Sequence, residues 1–180
     1  MKFIALIRGI NVGGNNIIAM SDLKNAVSKC GYKNVSTYIQ SGNIIFESDK
    51  NEVCVIAEKL EICILNTFKC NTKVVVLTEK MLQAVVKQAP TNWNKEDNTR
   101  KYIAFTIPPV EVNEVVKEIT MRGGVDSLKT GKNVLYMSTD LNHLTKSGFN
   151  KLASKKIYKS LTIRNYNTVS KLLKHTELPE

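Results

Sequence analysis

The order in which hydrophobic periodicity changes along the chain constrains its fold more than any other feature. A continuous β-favouring apolar run at residues 2–8 reads as a strand, followed by a Gly/Asn loop at 9–16. Helical spacing then sets in at Leu23, Ala26, Val27 and Cys30, with Ser21 as the expected N-cap, Asp22 in the first turn and Gly31 as the stop. Residues 35–40 and 44–48 read as strands joined by a turn at Ser41-Gly42-Asn43. An amphipathic helix at 51–69, a strand at 73–77 and a helix opened by Thr78 and running to about 88 complete the string. Its first six elements, β-α-β-β-α-β, follow the ferredoxin-like plan.

The pattern then restarts. Residues 101–107 read as a strand ended by Pro108-Pro109, and 112–121 as a helix ended by Gly123-Gly124. Residues 125–130 and 134–138 read as strands around Gly131-Lys132-Asn133, and 149–160 as a helix. "SGNIIFES" and "GKNVLYMS" share turn and alternation, a weak internal repeat. Residues 162–167 are expected to lead into a last short helix carrying Val169, Leu172 and Leu173. The expected fold class is α+β: two ferredoxin-like halves of βαββα type, with antiparallel sheets and helices packed on them. The expected division is 1–89 for the first half, 90–99 for the connection and 100–180 for the second half with its C-terminal helix.

Composition excludes several classes. The longest apolar runs fall far short of the ~18 residues of a membrane helix, and the N-terminus lacks a signal-peptide pattern, so no membrane partner and a cytoplasmic location are expected. Cys30, Cys54, Cys63 and Cys70 form no C-x-x-C pair and read as structural thiols in a reducing compartment, with Cys54 and Cys63 on the apolar stripe of the 51–69 helix. No His/Cys/Asp cluster has zinc spacing, and no metal is expected. The loop Gly9-x-x-x-Gly13-Gly14 matches neither a P-loop nor a dinucleotide fingerprint, and no cofactor is expected.

In the β-α-β-β plan the first two strands run parallel, with the third antiparallel between them. The end of the first strand and the turn after the second therefore share one sheet edge. Arg8, Asn11, Gly13 and Gly14, with Asn15 and Asn16, should meet Gln40, Ser41, Gly42 and Asn43 there. An arginine, carboxamides, a hydroxyl and glycine N–H groups together suit a phosphate or carboxylate oxygen. The alternative is a tight strand-to-helix connection with glycines at positive φ. A second candidate is Arg164, Asn165, Asn167 and Thr168 before the last helix, whose free N–H groups would welcome an anion; its alternative is a simple cap with a surface arginine.

"LIRGINVGGNN", "TYIQSGNIIF" and "TIRNYNTVSKLL", in that order, resemble a bacterial family known as domain of unknown function sixteen ninety-seven, over residues 3–173. The last motif departs from the family form in having Tyr166 where tryptophan is usual. The resemblance implies an α+β fold of two ferredoxin-like halves and implies no activity. Its motifs fall on the polar loops described above.

Three functional readings follow. The first is binding, with or without transformation, of a small anionic or phosphorylated ligand by Arg8, Asn11, Gln40, Ser41 and Asn43, closed by Arg164, Asn165 and Asn167. The second is a nucleic-acid-binding module. Residues 141–180 hold eight Lys or Arg against two acids, a net +6, and Lys151, Lys155 and Lys159 would share a helix face if 149–160 is helical; the alternative is a lysine-rich solvated helix face with no nucleic-acid partner. The third is a structural protein, in which Arg8 and Arg164 are buried against backbone carbonyls. A serine-hydrolase reading is poorly supported, because Ser41 has no evident His–Asp pair and His143 and His175 lie in polar or terminal contexts.

Overall fold

A computed structural model describes residues 1–95 and 98–177. Packing divides the chain into two compact units: Met1–Gln83 with the C-terminal residues from Leu172, and Ala84–Lys171. The boundary expected at 90–99 treated each half as one continuous stretch. Packing instead places it within a helix and returns the C-terminal residues to the first unit.

The first unit holds β1 (Lys2–Ile7), α1 (Met20–Lys29), β2 (Lys33–Tyr38), β3 (Asn43–Glu47), α2 (Val53–Phe68) and β4 (Val74–Thr78), followed by α3 (Glu79–Gln88), which crosses the boundary. The sheet order is β2-β3-β1-β4, every pair antiparallel, which is the ferredoxin-like arrangement. Strand alternation puts Phe3, Ala5 and Ile7 on one face. That face packs with Leu23 and Val27 of α1 and with Ile56, Leu60 and Ile64 of α2. Ile4 and Leu6 on the other face are also fully buried. Burial on both faces explains why β1 reads as an unbroken apolar run.

Local signals held unevenly. Thr78 caps α3, its Oγ1 accepting from the Met81 amide at 3.2 Å. Ser21 does not cap α1, which begins at Met20 after Ala19 with no side-chain cap. Cys30 and Cys63 form a disulfide between the end of α1 and α2, with Cα atoms 6.7 Å apart. This corrects the expectation of four unpaired thiols, and the case for a reducing compartment loses that support. The pairing arises because α1 and α2, whose ranges are given above, pack side by side on one sheet face and bring together cysteines 33 residues apart in sequence, a tertiary fact with no local motif. Cys54 is exposed and not on the buried stripe, and Cys70 is a buried free thiol.

In the second unit β5 (Thr99–Thr106), α4 (Val112–Glu118), β6 (Asp126–Gly131), β7 (Val134–Asp140) and β8 (Leu161–Asn165) precede α5 (Tyr166–Glu177). The sheet order β6-β7-β5-β8 repeats the topology of the first unit. The repeat is fuller than expected, because residues 161–165 form a fourth strand and not merely a lead-in. Ala104, Val115, Leu135, Met137, Leu152 and Leu161 form the core on one face.

The helix expected at 149–160 is absent. Two 3-10 segments, Gly148–Ser154 and Lys156–Ser160, flank Lys155, whose backbone is extended. Phe149 and Leu152 are three residues apart, the spacing of a 3-10 face, and both reach the core. The segment is anchored at its start by Asp126, which accepts from Ser147 Oγ at 2.6 Å and from the Gly148 amide at 2.8 Å. Lys151, Lys155 and Lys159 therefore share no helical stripe, and Lys155 pairs with Glu118 at 3.1 Å.

Candidate functional site

The end of β1 meets the β2–β3 turn, as the strand order requires. The Ile7 amide donates to the Gly42 carbonyl at 2.8 Å. Gly42 lies at φ +70°, and a Cβ there would stand 2.8 Å from Ile10 Cδ1 and 3.1 Å from Ile7 Cβ. Only glycine lets the turn close so tightly on the loop.

Residues 9–16 do not form an open nest. They make a small hairpin, with the Asn11 amide bonded to the Asn16 carbonyl at 3.2 Å and the Asn15 amide to the Val12 carbonyl at 3.1 Å. Gly13 and Gly14 form its tip, both at positive φ as a two-residue type I′ turn requires. Asn16 Nδ2 closes the base on the Gly9 carbonyl at 3.1 Å.

The carboxamides divide by direction. Asn11 Nδ2 donates to the Ile18 and Gln40 carbonyls, both at 2.9 Å, while its Oδ1 accepts from the Ile18 amide at 2.8 Å. Asn43 is fully buried, and its Nδ2 donates to the Tyr38 carbonyl at 3.0 Å and to Ser41 Oγ at 2.8 Å. Both were expected to face a ligand. Both instead latch backbone, because each neighbouring peptide group needs a partner away from water. Gly13 and Gly14 likewise serve the turn.

Arg8 is half-buried at the base of this hairpin. Its amide donates to the Lys73 carbonyl at 2.9 Å, and its own carbonyl accepts from Thr72 Oγ1. Thr72 is thus a positioning residue that sequence reasoning missed. Nothing local marks it, since it lies 64 residues from its partner. Gln40 is exposed and Ser41 half-exposed beside Arg8's loop.

The second motif lies in the other unit and is arranged differently. Arg164 is only 9% exposed, and its guanidinium donates to the Ile163 carbonyl at 3.0 Å. Burial pushes it down to about 10 from the ordinary arginine value. Asn165 Oδ1 accepts from the Asn167 amide at 2.9 Å, so it caps α5, while Asn167 is exposed and Thr168 half-exposed. Tyr166 is buried with its ring edge-on to Trp93 at 5.0 Å, a packing role. Arg164 thus meets the description set for a structural arginine, whereas Arg8 is only half-buried.

Elsewhere in the second unit, Asn98, Thr99, Asp126 and Asp140 help line a polar groove of about 350 Å³. Asp126 accepts four hydrogen bonds there, from Thr139, Ser147 and the Arg122 and Gly148 amides, and so ties the fold together. Among the described residues no group of three or more His, Cys, Asp or Glu could hold a metal ion. No helix among them is long and apolar enough to cross a membrane.

The model of one protein family, "Protein of unknown function (DUF1697)", matches residues 1–136. The chain belongs to this family. The match takes in the hairpin and the β2–β3 turn, and it stops before the Arg164 motif. The solved structure of conserved bacterial protein SP0830 from Streptococcus pneumoniae is similar, with TM-score 0.84 and 27% identity over 96% of this chain and 97% of that one. No curated protein matches the chain at a significant level. As a DUF1697 member of α+β fold, the chain takes no activity from these comparisons, and the site must be read from its own residues.

Proposed function

We propose that this protein binds a small anionic ligand, with a phosphate or carboxylate group held by Arg8 at the edge of the first unit. The carrying observation is where the backbone is forced. Of the twelve described residues at positive φ, seven lie here: Gly9, Asn11, Gly13, Gly14, Asn16, Ile39 and Gly42. Left-handed backbone is costly for non-glycine residues and gathers where a local shape is needed for function. Here it builds a hairpin and a turn around an arginine whose own backbone is pinned on both sides.

The polar groups we assign to the ligand are Arg8, Gln40 and Ser41, of which Gln40 is exposed and Arg8 and Ser41 are half-exposed, with Asn11 and Asn43 as the frame. Such a set stabilises negative charge through oriented donors and one fixed cation, without a covalent nucleophile. The nucleic-acid reading has less support. Its basic helix face is absent, and the sheet aromatics Phe46 and Phe105 are buried, leaving Tyr102 half-buried.

Backbone amide NMR tests the reading. Titration with inorganic phosphate should shift the amides of residues 8–10 and 40–42 as one set, and Arg8→Ala should abolish the shifts. Shifts confined to the β8–α5 junction would move the site to Arg164 and refute the assignment.

A further inference from the structure

Ile39 stands at φ +49°, where a β-branched side chain crowds its own backbone. The residue is nonetheless 49% exposed, so the fold recovers little packing from it. Val12 at 62% and Ile17 at 79% are also large aliphatic residues facing water. All three neighbour, in sequence, the Asn11 latch or its partners. The Asn11 side chain bonds the Gln40 carbonyl, one residue from Ile39, and the Ile18 backbone, one residue from Ile17, while Val12 follows Asn11 directly. Three exposed apolar side chains thus arise within one residue of a single latch, on the loop that Arg8 opens. A purely polar anion gives them no role, and the strain at Ile39 has no return within the fold.

We propose that Val12, Ile17 and Ile39 form an apolar rim that receives the hydrophobic body of the ligand, so that the ligand is an organic phosphate carrying an aromatic or aliphatic group. This rests on the reading of Arg8 as the anion-binding residue. Charge complementarity sets the orientation: the phosphate lies toward Arg8 and the apolar body lies over the rim. Covering a ring-sized apolar area is worth roughly a tenfold or greater gain in affinity.

The test compares inorganic phosphate with phenyl phosphate by amide NMR titration, on the full chain and on Ile39→Asn and Val12→Asn/Ile17→Asn variants. Asparagine tolerates the left-handed region, so Ile39→Asn should keep its Tm within about 3 °C of the parent. The expected result is phenyl phosphate binding at least about tenfold tighter than phosphate. Both variants should lose that preference and keep their affinity for inorganic phosphate. Equal affinity for the two probes in the parent chain overturns the rim and leaves the anion site standing. A preference that survives in both variants also overturns it, as does unfolding of Ile39→Asn, which would show that the fold itself needs the side chain. Failure of both probes to bind overturns the anion reading and the rim together.

Discussion

Gly42→Ala is the sharpest perturbation of the first unit. The residue lies at φ +70°, which costs an L-residue about 1–2 kcal/mol. The new Cβ would also stand 2.8 Å from Ile10 Cδ1 and Cγ1 and 3.1 Å from Ile7 Cβ. Ile10 is 1% exposed and has no room to retreat, so overpacking adds about 1–3 kcal/mol. The total is about 2–5 kcal/mol, enough to endanger a domain of ordinary stability. Gly14→Ala is the control, because Gly14 lies at φ +78° with nothing within 4 Å of its built Cβ. It should lose only the backbone component, about 1–2 kcal/mol. Urea denaturation followed by circular dichroism gives both values. Equal losses would refute the steric argument, and an undamaged Gly42→Ala would refute the described closure of the turn on Ile7 and Ile10.

Other consequences are equally direct. Asn11→Ala removes three hydrogen bonds and strands the Ile18 backbone, so it should cost about 2–3 kcal/mol in denaturant; a loss under about 0.5 kcal/mol would show that the latch is dispensable. Burial pushes the Asp126 carboxyl up, but hydrogen bonds from Ser147, the Arg122 and Gly148 amides and Thr139 outweigh it and hold the group below its ordinary 3.8. A lowered folded-state value means that its stabilisation is present above about pH 4 and fades as pH falls below it. The stability gap between parent and Asp126→Asn should therefore narrow toward acid, and a gap independent of pH would contradict the account. Thr162 is 1% exposed, and its hydroxyl has no hydrogen-bond partner among the described residues, so Thr162→Val should raise stability by about 1–2 kcal/mol; a clear fall on calorimetry would reveal a partner, such as a buried water.

What could be read in advance depended on how local each cause was. The unbroken run from Phe3 to Ile7 announced a strand, its burial on both faces accounts for the run, and strand order alone put the loop after β1 beside the turn at residues 40–42. Gly13-Gly14 marked a tight turn, but only the partners of Asn11 and Asn16 show that it tips a hairpin and not a nest. Carboxamide direction is a tertiary property: the sequence of Asn11 and Asn43 is the same whether they face solvent or brace backbone. The 149–160 segment misled because Phe149, Leu152 and Ile157 suit a helix in spacing, whereas the Asp126 anchor at Ser147 and Gly148 starts a 3-10 path instead. The Cys30–Cys63 bridge and the Thr72 contact to Arg8 join residues 33 and 64 apart, and no nearby residue signals either.

The central claim is that Arg8 holds a ligand while Arg164 holds the fold. A thermal-shift screen against nucleotides, acyl phosphates and aryl phosphates, run on the parent, Arg8→Ala and Arg164→Ala, tests it most directly. Arg8→Ala should keep its unliganded Tm within about 3 °C and lose every ligand-induced rise, whereas Arg164→Ala should melt markedly lower because it empties a buried site. An Arg8→Ala protein that melts far below the parent yet still responds to the same ligands would contradict the account.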